Sequence, residues 1–339
     1  MFQITARTKV PVLADHSPTG PWRRWLEPLE TAREAGRPPI DVAALEAVVA
    51  SCVDDNSCAD DDIVTFRTAV LNAVKDAYGA ARQRLSEEFL DHNDGVIYVG
   101  RHAWAMDILI GFIVAQAAKR FGLESKKHRL AVVAVGGYGR GELAPSSDID
   151  VLFLMSDVTS EAMEKAIEFS LYTLWDMGLK VGHATRSVAQ SVEAAKGDHT
   201  VLTGLLEMRK IAGHQQLYKQ LVTAMTRVIA KIKTSDFVDS KLSERDQRHA
   251  RLGATRYVVE PNIKEGKGGL RDLHSLFWIT KFAYRTPNVL DLVDHVVMRE
   301  SEARRFAAAQ RFLWTVRCHL HLFAGRPEER LDFEAQMTI

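Results

Sequence analysis

Apolar positions recur at helical spacing over long stretches of the chain and collapse into short continuous runs at only a few places. Val42–Ser51 has the texture of a short helix. Val64, Val70, Leu71, Val74, Tyr78, Ala81 and Leu85 fall near a 3.6-residue period, which predicts a long helix from about Asp62 to Asp91. Another is predicted over Ala103–Phe121. The texture then changes. Leu130–Val135 and Ile149–Met155 are short, β-branched apolar runs with the length of strands, and Lys180–Arg186 is a candidate third. Between them Glu161–Met177 returns to helical spacing. Beyond about Val201 almost everything reads as helix, including Leu270–Tyr284, with interruptions at Pro261–Gly269 and Pro287. With about three strands in view, the expected class is α+β: a small mixed sheet followed by an all-helical part, not a large doubly wound sheet.

Six prolines precede residue 40 (Pro11, Pro18, Pro21, Pro28, Pro38, Pro39), so the lead is expected to be loop-rich and mobile. The domain expectation is a proline-rich acidic lead at 1–61, a chemistry-bearing domain at 62–215 and a helical domain at 216–339.

Composition adds limits more than directions. The 339 residues carry 44 basic and 44 acidic side chains, which argues against a general nucleic-acid or anionic-membrane binder. The balance is uneven along the chain. Residues 1–62 hold 6 basic and 11 acidic side chains, residues 63–240 hold 21 and 20, and residues 241–339 hold 17 and 13. A polyanionic ligand is therefore expected on the later parts. Three cysteines, Cys52, Cys58 and Cys318, form no disulfide framework and fit a reducing compartment. Cys52 and Cys58 lie among Asp54, Asp55, Asp60, Asp61 and Asp62, but no zinc spacing results, and an acidic surface loop is the reading. Ile108–Ala118 is too short to span a bilayer, and the N-terminus lacks the apolar core of a secretion signal, so a cytoplasmic location is expected.

The chemistry sits in Val135-Gly-Gly-Tyr-Gly-Arg-Gly-Glu-Leu-Ala-Pro-Ser-Ser-Asp-Ile-Asp-Val151. Gly136 and Gly137 let a backbone turn approach a phosphate without a Cβ in the way. A short helix opening at Gly139–Leu143 would aim free N–H groups at an anion, with Arg140 adding a charge-assisted bond. Asp148 and Asp150 are two apart on a strand and so share a face, with Ile149 turned inward. Two parallel carboxylates repel unless a cation lies between them, and Mg2+ binds through one or two carboxylates plus substrate phosphates. The glycines fit neither the dinucleotide fingerprint nor the P-loop.

This pattern resembles the nucleotidyltransferase signature of the polymerase β superfamily. The fuller string Gly-Gly-Tyr-Gly-Arg-Gly-Glu-Leu-x-Pro-x-Ser-Asp-Ile-Asp resembles the bifunctional uridylyltransferase/uridylyl-removing enzymes that act on the nitrogen regulator PII. Glu260-Pro-Asn-Ile-Lys-Glu-Gly-Lys-Gly-Gly-Leu-Arg-Asp-Leu-His274 is similar to the second hallmark of that family, and Phe312–Phe333 to a third. The resemblance covers about residues 65–335. It implies Mg-dependent transfer of UMP from UTP to a tyrosine of PII, with loss of pyrophosphate. Asp148 and Asp150 would hold Mg2+, and Gly136, Gly137, Arg140 and Ser147 would meet the nucleotide. Lys264, Lys267 and Arg271 would either reach the triphosphate or fix one domain onto the other. His319 and His321 read as helix packing.

Two readings compete. One is a protein adenylyltransferase of the glutamine synthetase type, and the other a catalytically silent module that docks PII. The sequence also departs from the superfamily: the place where many relatives carry a third acid falls on Gly182 or His183. Asp176 or Glu207 is then a candidate substitute, and His183 a candidate base. No His-Asp dipeptide occurs, so the uridylyl-removing HD domain and the ACT sensors of the family are expected to be missing from this polypeptide.

Overall fold

The structure is a computed structural model, and it describes residues 23, 26–34, 36–54, 63–123, 129–253, 257–285 and 298–339. Most of the proline-rich lead, the Cys58 end of the acidic loop and Pro287 therefore lie outside the described residues.

Helix α1 (Pro28–Glu34) starts with proline at its first position, where the missing N–H costs nothing. The expectation of a loop-rich lead fails here: Leu29 and Ala32 are buried, and α1 packs on α4. Helices α2 (Val42–Asp54), α3 (Ile63–His92) and α4 (Gly95–Arg120) follow. Helix α4 begins eight residues before the predicted start, because Asp94 caps it by accepting from the N–H groups of Val96 and Ile97. Gly95 and Gly100 are contact points within it. A Cβ at Gly95 would collide with the Trp314–Thr315 backbone, and one at Gly100 with the carbonyl of Pro28.

The full length of α4 also changes the membrane expectation. It is long and apolar enough to cross a bilayer by length and composition, and 72% of that apolar window is buried inside the protein. Its length serves the core.

Strand β1 (Leu130–Ala134) leads through the four-residue helix α5 (Gly136–Gly139) to β2 (Ile149–Met155). Then come α6 (Glu161–Asp176), β3 (Val181–Ser187), α7 (Val188–Gly197), α8 (His199–Leu206) and β4 (Arg209–Gly213). The sheet has four strands in the order β3-β2-β1-β4, with β1 antiparallel to both neighbours and β2 parallel to β3. The fourth strand was not expected. Its sequence, Arg-Lys-Ile-Ala-Gly, has two apolar side chains and is half-buried at the sheet edge, so it shows neither alternation nor a continuous run. The short helix also starts at Gly136, not Gly139.

The inner strands are covered on both sides, which is why they read as unbroken apolar runs. Leu130, Val132, Ile149, Val151 and Phe153 face α4 and α6 in one core. Ala131, Val133, Leu152 and Leu154 face the second core, with α9 (Gln215–Lys231) contributing Leu217, Leu221 and Met225. Helices α10 (Thr234–Arg251) and α11 (Leu270–Tyr284) join that second core through Phe237 and Phe282, whose rings stack 4.0 Å apart. Helices α12 (Glu300–Ala324) and α13 (Phe333–Thr338) close the chain, with Trp314 and Cys318 packed against the start of α4. The helices after β4 thus cover the sheet face toward which Asp150 points.

Candidate active site

The turn after β1 is held from behind by a buried buckle. Asp107 on α4 accepts from Tyr138 Oη at 2.9 Å and takes both terminal nitrogens of Arg209, from β4, at 2.6 and 3.0 Å. Arg209 also donates to the carbonyls of Tyr138 and Gly139. Arg33 of α1 reaches the same carboxylate at 3.0 Å. A Cβ at Gly139 would collide with the Glu207 carbonyl, so this glycine answers to the buckle and not to a ligand. Gly136 adopts a φ of 58°, in the left-handed region.

In front of the turn, Asp148 and Asp150 stand exposed at the head of β2, with Ile149 buried between them. Asp150 lies level with Gly182 on β3, and a Cβ built at Gly136 would sit 3.6 Å from its Oδ2. Neither carboxylate has a hydrogen bond or ion pair to another side chain among the described residues. Burial in the cleft, and then the charge of Asp148, raise the Asp150 carboxyl above its usual range, against the pull of Lys264. Charge held at this cost without a protein partner suits a divalent cation with oxygen ligands. Among the described residues no group of three or more His, Cys, Asp or Glu side chains gathers for a metal.

The dyad opens into a cleft of about 960 Å3 between the sheet and the later helices. Gly136, Gly137, Arg140, Ser147, Lys264 and Arg271 all line it. Lys267 does not. Of the three cations in the second glycine motif, Lys264 faces the dyad, while burial and then Arg317 lower its affinity for a proton. Arg271 pairs with Glu265 at 3.2 Å.

Arg140 reaches the cleft, but its guanidinium is committed. Its Nε donates to Glu142 at 2.7 Å, and the same carboxylate meets His274 of α11 at 3.3 Å and Gln310 of α12 at 3.0 Å. Burial works against the Glu142 charge, yet Arg140 and then His274 hold its pKa down at about 2. Burial, then Arg140, lowers His274 to about 3. This cluster bolts the glycine turn to α11 and α12.

Glu329 forms a second bolt. It binds Arg317 at 2.6 Å and lies 3.9 Å from Lys264. Burial opposes its charge, but His321, 3.6 Å away, and Arg317 hold its pKa down at about 2. His321 is fully buried and accepts from the Ser146 N–H at 3.2 Å, so its place beside the dyad loop is more than helix packing. His319 instead meets Asn93. A third cluster explains the second glycine motif. Asp272 accepts from Gly268 N at 2.8 Å and from His249 at 3.0 Å, and pairs with Arg248.

The substitutes for a third acid lie elsewhere. Asp176 pairs with Arg67, and Glu207 is buried against Lys281. The His183 ring stacks edge-on with Trp175 at 5.6 Å, on the sheet face opposite Asp150. Glu142, His274, Arg317 and Glu329 were missed by sequence reasoning. Arg140 is only two residues from Glu142 and Arg317 twelve from Glu329, but the contacts that place these pairs at the cleft are long-range, 168 residues for Glu142 and Gln310 and 134 for Arg140 and His274, and no local spacing marks those.

Comparison with known proteins matches residues 116–199 to the nucleotidyltransferase domain and residues 236–339 to the family described as GlnD PII-uridylyltransferase. A "bifunctional uridylyltransferase/uridylyl-removing enzyme" of Bradyrhizobium sp. strain BTAi1 is 43% identical over 311 residues, covering 91% of this chain and 33% of that protein. The protein of the same description from Rhodospirillum rubrum is 43% identical over 311 residues, covering 89% of this chain and 32% of its own length. One from Bradyrhizobium diazoefficiens is 43% identical over 303 residues, covering 88% and 32%. The chain therefore spans about a third of the length of these relatives.

Proposed function

We propose that the chain is a nucleotidyltransferase of the uridylyltransferase family and that it transfers UMP from UTP to a tyrosine hydroxyl of a PII-type protein, releasing pyrophosphate; the matches to both family models and to the relatives support this reading. The observation that carries this reading is the unpaired Asp148–Asp150 dyad at the mouth of a cation-lined cleft, directly in front of the Gly136–Gly137 turn. Residues 62–215 supply the chemistry, and 216–339 supply its helical cover.

In the transfer, the tyrosine oxygen attacks the α-phosphorus of UTP. The bond from that phosphorus to the bridging oxygen of the β-phosphate breaks, pyrophosphate leaves, and the hydroxyl proton passes to solvent at the open side of the cleft. Asp148 and Asp150 would hold Mg2+, which when bound neutralises phosphate charge and organises the reacting oxygens. Gly136 and Gly137 keep side-chain atoms out of the way of the phosphates. Lys264 opposes the charge that builds on the departing pyrophosphate, as a fixed cation in a partly dry site does more effectively than water. Glu329, itself fixed by Arg317, lies 3.9 Å from that lysine as its counter-charge.

The test is transfer of label to purified PII in the presence of Mg2+ and either UTP or ATP. Label from UTP that disappears in Asp148→Asn and Asp150→Asn supports the reading. Transfer from ATP alone would make the chain an adenylyltransferase. PII binding with no transfer from either nucleotide would make it a docking module.

A further inference from the structure

Strand β3 is the end of the sheet. It pairs with β2 on one side, and no described strand pairs with the other. An unpaired strand edge offers a row of backbone donors and acceptors to an incoming chain. This edge is also short of cover: Gly182, His183 and Thr185 are exposed. It runs directly beside the dyad, since Gly182 stands level with Asp150.

Three further features surround it. Tyr172 and Trp175 of α6 are large aromatics left 50% and 41% exposed. They stack edge-on with each other at 5.6 Å, and Trp175 continues to the exposed ring of His183 at 5.6 Å. Lys180 and Arg186 bracket the strand, and neither has a carboxylate partner among the described residues, unlike Arg140, Arg271 and Arg317 in the same cleft. Exposed Trp and Tyr beside Arg are the residue types that dominate protein interfaces. The position level with Asp150 is occupied by glycine, and a Cβ there would collide with the Asp150 carboxylate. A strand added beside β3, about 4.8 Å away, would therefore run past the Asp150 carboxylate with no β3 side chain between them.

We propose that this edge is the docking surface for the acceptor protein: an extended, acid-bearing segment that carries the tyrosine adds to β3 as a further strand. Main-chain hydrogen bonds to β3 hold the segment, the Tyr172–Trp175–His183 surface takes its apolar side chains, and Lys180 and Arg186 take its carboxylates. Lys180 and Arg186 are about 20 Å apart along the extended chain, six residue steps, so the recognised segment spans about seven residues. The proposal rests on transfer to a PII-type protein as the function of the site.

The test compares the full chain with a Lys180→Glu/Arg186→Glu double variant and, independently of charge, with Trp175→Ser. The probe is purified PII, followed by binding titration and by transfer from labelled UTP, with UTP affinity and thermal midpoint measured alongside. Docking at β3 raises the Kd and KM for PII at least about tenfold in both variants, with kcat and UTP affinity within about twofold of the parent. Unchanged PII binding and KM would overturn the docking surface while leaving the transferase reading standing. A fall in UTP affinity in step with KM would overturn it as well, by assigning the cations to the nucleotide. If the parent chain neither binds nor labels PII, the acceptor itself is wrong, and the docking surface falls with it.

Discussion

Two groups of carboxylates stand near each other in this protein and are treated in opposite ways. Glu142 is buried and fully engaged, by Arg140, His274 and Gln310. Asp148 and Asp150 are exposed at the cleft mouth and engaged by no described side chain. The first arrangement holds two parts of the chain together, and its charge is satisfied by the fold itself. The second leaves charge unsatisfied where a ligand must arrive. The difference separates an acid whose charge the fold uses from acids whose charge it leaves open to a ligand, although all three belong to one stretch of glycine-rich sequence.

That contrast is most open to attack at Glu142. Glu142→Ala leaves the Arg140 guanidinium buried without its counter-charge, and the expected cost is about 3–5 kcal/mol of folding stability, read by urea denaturation. Asp150→Asn should do the reverse. Transfer should fall about 10²-fold or more, in line with loss of a preorganised charge stabiliser, while the denaturation midpoint stays close to that of the parent. A fall under tenfold would remove Asp150 from the metal site. Gly182→Ala sharpens the picture of the dyad. The added methyl must displace the Asp150 carboxylate, so transfer should drop roughly tenfold or more with little change in stability, as for small misplacements of reacting groups.

Acidification separates the two groups by a milder effect. His274 is held neutral in the fold, with its pKa at about 3, below the ordinary histidine value of about 6.5. The unfolded chain therefore takes up a proton first, and stability contributed by neutral His274 is lost as pH falls from about 6.5 toward 3. Glu142, held at about 2, contributes stability above the usual carboxylate pKa, and this is lost as pH falls from about 4.5 toward 2. Thermal midpoints measured from pH 7 to 4 should decline, and His274→Gln should flatten the upper part of that decline. Lys267, outside the cleft, gives the smallest effect: Lys267→Ala should leave transfer and KM for UTP within about twofold.

The parts of the fold that the sequence announces are those decided locally. Strand β2 and helix α11 fall on their expected residues because each is a clean apolar pattern between glycine or proline signals. The dyad is visible for the same reason: two acids at period two inside an apolar strand can point only one way. Strand β4 escapes notice because its reason for being a strand is its pairing with β1 and the bond from Arg209 to Asp107, 102 residues earlier. Arg140 is read only in part. Its place beside the glycines suits a phosphate ligand, and the fold adds that its guanidinium is paired with Glu142 and set against His274 of α11. Helix α4 starts early at its Asp94 cap, and its first turns carry Gly95 and Gly100 because the Thr315 and Pro28 backbones leave no room for a Cβ, which no local propensity reports.

Helix α1 has a practical consequence for anyone wishing to shorten this protein. Its Leu29 fills the space behind Gly141, where a Cβ would collide with it, and its Arg33 supplies one of the cations on Asp107. The described end of the proline-rich lead thus forms a wedge set against the back of the glycine turn. A minimal version trimmed to begin at α3 would keep every residue of the cleft and lose the support that fixes the turn's position. The shortest fragment worth expressing therefore starts upstream of Pro28.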